Sequence, residues 1–235
     1  MPAALLWGFV AASSLLLGAV AGVLRSWNPR PVGLVLGFGA GALVASISFE
    51  LAAEGFDVGG PGPVAIGIAV GAVSFWLADL AVDRVGGRSP SAAAGLPLEL
   101  GALLDGIPEQ AVLGIGIASG QGVSVALLIA IFVSNLPEGI GSAADMRGAG
   151  HTPRRIVAGW CAVTALCTLA TVAGYACQHF AGQQLRGGID GFAAGALLVM
   201  LVGEMVPEAR EKGGRATGLA AVLGFTVAAF LSLTA

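Results

Sequence analysis

Two proline–glutamate pairs stand inside segments that are otherwise apolar. One lies in Asp105-Gly106-Ile107-Pro108-Glu109, the other in Ser134-Asn135-Leu136-Pro137-Glu138-Gly139. A proline inside a helix cannot donate to the carbonyl four residues back. Pro108 therefore frees the carbonyl of Leu104, and Pro137 that of Val133. A carboxylate one turn from a bare carbonyl offers two kinds of oxygen to a hard or borderline cation. An ionised carboxylate in hydrocarbon is costly, so it persists where a cation or a water-filled path meets it. The chemistry implied is cation binding at depth.

The elements that must position these residues are membrane helices. The chain has 235 residues, 56% of them apolar and 11% charged, whereas soluble domains carry about a quarter charged residues. Mean hydropathy is +0.89. The 38 glycines suit close helix packing in lipid. No polar stretch is long enough for a soluble domain, so residues 1–235 read as a single transmembrane domain, and no basic stripe suggests nucleic acid. Cys161, Cys167 and Cys177 share one span and form no C-x-x-C pattern, which supports neither a disulfide nor a structural zinc site. The N-terminal apolar run lacks a basic leader region and reads as a first helix.

Taking about 20 residues per crossing, the apolar segments predict eight helices, near 3–24, 32–54, 63–82, 96–118, 122–145, 154–178, 189–209 and 214–234. Ten of the eleven basic residues fall in loops on one side of this arrangement, and only Arg186 falls on the other. Positive residues prefer the cytoplasm, so both termini are expected outside a cell membrane. Gly37 to Gly55 and Gly191 to Ala209 match at eight of nineteen positions, with Glu50 on Glu204 and Glu54 on Glu208. Spans 2 and 7 cross in opposite directions, so this is an inverted repeat, a ground plan common in transporters. The layout is all-α: three helices, two helices, three helices. The short turn from Ser119 to Gly122 makes spans 4 and 5 antiparallel neighbours, so Glu109 and Glu138 can face each other.

Glu50, Asp79, Asp105, Glu109, Glu138 and Glu204 all lie within spans, and no lysine, arginine or histidine lies at comparable depth. These acids are expected to have no basic partners and to bind cations, protons or water.

With both Pro-Glu motifs, the repeat and eight spans in place, the chain resembles the ZIP (Zrt/Irt-like) family of divalent metal transporters. SNLPEG at 134–139 is the nearer match and DGIPEQ at 105–110 the looser one. The resemblance implies a metal centre between the fourth and fifth helices, import toward the cytoplasm, an elevator-like movement and a homodimer in the bilayer. It places the family's glutamates on Glu109 and Glu138. The fourth-helix histidine falls on Asp105 and the asparagine after it on Gly106. The fifth-helix ligands fall on Ser134 and Asn135, and a sixth-helix acid falls near Cys167. The histidine-rich loop has no counterpart between Val85 and Leu96. Without membrane-embedded imidazole the donors left are carboxylate, amide, hydroxyl and carbonyl, which favour manganese, iron(II) or magnesium over zinc.

The metal set so read is Asp105, Glu109, Ser134, Asn135 and Glu138, with Glu50, Glu204 and Cys167 along a pathway. The divalent ion is a substrate of the zinc, manganese or iron(II) class, and the chain is no enzyme. Pro207 frees the carbonyl of Gly203 beside Glu204, which draws that acid toward the path. The plainer reading of the glutamates is a protonated carboxyl shared between helices, and a serine often bonds only its own helix. Trp7, Trp27, Trp76 and Trp160 read as anchoring or packing at the interfaces. Rival functions are a proton-coupled carrier of another solute and a metal-binding relative without transport. An intramembrane aspartyl protease lacks its Gly-x-Gly-Asp signature here.

Overall fold

The computed structural model describes residues 1–86, 96–120 and 122–234. Arg88 and most of the segment between Val85 and Leu96 fall outside them. The chain is a multi-pass, all-helical membrane protein. Helix α1 is Pro2–Leu24, α2 is Pro29–Gly59, α3 is Pro61–Gly86, α4 is Leu96–Ala118, α5 is Val125–Gly148 and α6 is Pro153–Phe180. Helix α7 runs over Gln183–Met200, passes through a π-helical turn at Leu201–Met205, and ends as Val206–Gly213. Helix α8 is Thr217–Thr234.

Local chemistry sets these starts. Proline occupies the first turn of α1, α2 and α6, where its missing N–H costs nothing. Asn28, Ser124 and Thr152 cap α2, α5 and α6 by accepting from Arg30 N (3.0 Å), Leu127 N (3.1 Å) and Arg155 N (3.4 Å).

Among the described residues, seven helical stretches are long and apolar enough to cross a membrane, against the eight expected. The difference lies at Gln183–Thr234, which counts as one stretch of 52 residues. Gly214, at φ +71°, breaks it. A side chain is strained at that φ. Beyond the break α8 turns back along α2: Thr217 meets Gly37, and Ala221 meets Gly41.

The packing repeats as the sequence does. Helix α8 lies on α2 as α3 lies on α7, and α1 lies on α5 as α6 lies on α4. Glycines make the contacts. Gly41 packs on the Ala221 carbonyl, and its repeat mate Gly195 packs on that of Ile68. Gly22 meets the Ile140 carbonyl, two residues past Glu138. Gly174 meets the Ala111 carbonyl, two residues past Glu109. With no hydrophobic drive between helices in lipid, such approaches supply the dispersion that holds the bundle.

Both repeats also carry a π-turn at the same place. Ala53 N–H reaches Ser48 O in α2, and Val206 N–H reaches Leu201 O in α7. Around Glu204, where Pro207 was expected to free the Gly203 carbonyl, the helix takes a π-turn with hydrogen bonds reaching five residues back. The same turn forms around Glu50 with no proline in it. Trp160 packs rather than anchors: it is fully buried in the cluster of Leu15, Met146 and Ile156.

Candidate metal centre

Helices α4 and α5 keep Pro108 and Pro137 inside them, and they pack side by side. Glu109 lies near Ser134 and Asn135, while Asp105 lies near Glu138. One residue number rises as its partner's falls, so the pair is antiparallel.

Glu109 is buried, and Ser134 Oγ donates to its Oε1 (3.2 Å). The same hydroxyl reaches Ile131 O (3.0 Å), so its single proton is shared between a carboxyl and its own helix. Asn135 is fully buried with its amide interacting with the Glu109 carboxyl, yet neither amide atom makes a close, well-aligned hydrogen bond. Asp105 Oδ1 and Glu109 Oε2 are likewise buried without partners. Each such atom costs about 1–3 kcal/mol. Three of these four orphans are acceptor oxygens, which is what a cation would satisfy. Among the described residues, no three His, Cys, Asp or Glu side chains stand ready to hold an ion. The carboxylates would have to draw together around one.

Two residues expected along a pathway lie at this cluster. Glu204, on the π-turn of α7, stands against the Asp105 carboxyl and within electrostatic range of Glu138. Cys167, on α6, is fully buried with its thiol facing Gly106. A Cβ on Gly106 would stand 2.6 Å from Cys167 Sγ. Two of the positions where the expected ligand is altered, Gly106 and Cys167, therefore face each other. Glu50 is elsewhere, at the opposite end of the bundle, where Ser124 Oγ and Ser232 Oγ donate to its Oε1 at 2.7 and 2.6 Å.

One expectation is overturned. The acids are not without a basic neighbour. Lys212 Nζ donates to Glu208 Oε1 (2.5 Å), and both act on Glu138. A Cβ on Gly141, one turn past Glu138, would stand 2.7 Å from Lys212 Nζ. Sequence reading missed Lys212 because it ended span 7 at Ala209, whereas the helix continues to Gly213; Glu208 lay inside that span but entered only as the repeat mate of Glu54. Their i,i+4 spacing was a signal for one further turn.

Lys212 stands where it would compete with a divalent ion for Glu138. Lys212→Met is therefore expected to tighten metal binding roughly two- to fivefold, the range of a half-exposed ion pair. Metal titration of the purified protein reads this. Unchanged or weaker binding would show that Lys212 takes no part.

No protein-family model matches the chain. It is similar to a protein of Arabidopsis thaliana described as a "putative zinc transporter". The two are 30% identical over 202 residues, 82% of this chain and 32% of the relative. The chain thus spans about a third of that relative's length. The described role of that relative is transport. Its described cargo is zinc.

Proposed function

We propose that the chain is a ZIP-like carrier of divalent metal cations, crossing the membrane eight times, with its transport site between α4 and α5. The observation that carries this reading is the set of buried oxygens on Asp105, Glu109 and Asn135 left without a close hydrogen-bond donor. Glu109 and Glu138 are the core ligands, with Asp105, Asn135 and Ser134 assisting. Glu204 completes the acidic wall from α7, and Cys167 borders the site from α6. The similarity to a described zinc transporter supports metal as the cargo. The donors are chiefly oxygen, which widens the class to manganese and iron(II).

In this mechanism the ion exchanges water for carboxylate. The acids repel one another when empty, and Lys212 offsets part of that charge. An arriving ion draws Glu109 and Glu138 inward and releases Lys212 to Glu208 alone. Departure reverses the exchange. Movement toward the cytoplasm, with both termini outside and two copies in the bilayer, follows the family resemblance.

The test is uptake of radiolabelled manganese, iron(II), zinc and cobalt into proteoliposomes. The wild type is expected to load at least one of these ions and the Glu109→Ala/Glu138→Ala double variant none. Equal uptake by both would overturn the reading. Uptake that follows a pH gradient and ignores chelators would favour a proton-coupled carrier of another solute.

A further inference from the structure

The end of the bundle that holds Glu50 contains a cavity of about 530 Å³, walled by α2 and α4, the loop before α5, and single residues of α5, α6, α7 and α8. Glu50, Glu54 and Asp57 line it from α2, Gln178 from α6 and Arg186 from α7. Asp190 adjoins them. It is 1% exposed and accepts a hydrogen bond from Gln178 Nε2 (3.1 Å). Glu54 stands within electrostatic range of both Glu50 and Asp190. Arg186 acts electrostatically on Glu54 and Asp190, so four carboxyls at this end share one guanidinium, which spends a donor on the Ala181 carbonyl (3.0 Å).

An acidic group alone would say little, but the wall also carries unmet acceptors. Gln178 is 2% exposed, and its Oε1 faces no donor. Glu50 Oε2 and Asp190 Oδ2 are in the same state. A buried amide oxygen left open beside carboxylates suits a cation or the water around one. No three of the described acids converge closely enough to chelate. The volume suits a hydrated ion, since each water occupies about 30 Å³.

We propose that this cavity is a second cation site, a vestibule that docks a divalent ion with its hydration shell intact. Glu54, Asp190 and Gln178 hold the shell's waters, and Glu50 marks the inner end. The inverted repeat places it opposite the central cluster: Glu50 and Glu54 are the repeat mates of Glu204 and Glu208. The inference rests on the reading of the chain as a divalent-metal carrier. It adds that ions are gathered by charge before they are stripped of water and selected by ligand.

The experiment uses the full chain in lipid nanodiscs, with manganese(II) titration followed by electron paramagnetic resonance. The wild type is expected to bind in two classes. Hexaamminecobalt(III), which mimics a hydrated ion and cannot shed its ligands, is expected to displace the weaker class and leave the tighter one. This arm needs no variant. Glu54→Gln/Asp190→Asn is expected to weaken only the weaker class, at least tenfold. Glu109→Gln/Glu138→Gln is expected to remove only the tighter one.

A weaker class that hexaamminecobalt(III) leaves in place, or that survives Glu54→Gln/Asp190→Asn unchanged, would overturn the vestibule. A tighter class that survives Glu109→Gln/Glu138→Gln would instead overturn the central site and leave the vestibule standing.

Discussion

Glu109→Gln is expected to weaken metal binding by at least about a hundredfold, since partners beyond the first ligands already contribute 10–100-fold. The exchange is nearly isosteric, and Ser134 Oγ can donate to an amide oxygen as it does to the carboxyl. The fold should therefore stay intact while the anionic ligand is lost. Ser134→Ala supplies the contrast. It removes one shared hydroxyl proton, worth about 0.5–1.5 kcal/mol net, and should cost only a few-fold in affinity. Calorimetric titration with manganese or zinc reads both. Equal losses for the two variants would mean that Glu109 is merely a packed acid.

The second large effect is on the bundle itself. Gly41→Val drives a branched side chain into the Ala221 backbone carbonyl, which cannot rotate away. Overpacking at such a contact costs about 3 kcal/mol or more. Thermal unfolding in detergent should show a large drop. Gly195→Val should do the same against Ile68, because the repeat reuses the contact. Gly101→Ala is the control: nothing lies within 4 Å of a Cβ there. A gain of up to about 1 kcal/mol is expected from its better helix propensity. A Gly41→Val protein as stable as wild type would contradict the close α2–α8 approach.

These contacts show what was legible in the sequence. Long apolar runs fixed the helices to within a few residues at most ends. The Gly-Phe-x-Ala-Gly-Ala-Leu pattern identified the repeat, and the structure reuses its glycines against Ala221 and Ile68. The Pro-Glu pairs marked the helices that meet at Asp105, Glu109 and Glu138. The end of α7 was less legible, because Arg210, Glu211 and Lys212 read as loop while the helix carries them one turn further. That hid the nearest cation to Glu138. The π-turns were hidden too, since five-residue hydrogen bonding has no compositional mark. Trp160 read as either an anchor or a packed residue, and only the fold shows that its neighbours enclose it.

The vestibule was the least legible part. Glu54, Gln178, Arg186 and Asp190 come from three helices, and no local pattern links them. Glu50 appeared beside Glu204 in the repeat, which suggested a shared pathway. The inverted geometry instead sends the two acids to opposite ends. An inverted repeat aligns residues in sequence while separating them across the bilayer, so the alignment alone does not bring them together.

The most direct test of the central claim is anomalous diffraction from crystals soaked in manganese or zinc. The account predicts a peak between α4 and α5, about 2.0–2.2 Å from carboxylate oxygens of Glu109 and Glu138, with Asp105 turned toward it. Crystals that take up metal elsewhere, with these carboxyls dry and turned apart, would contradict it.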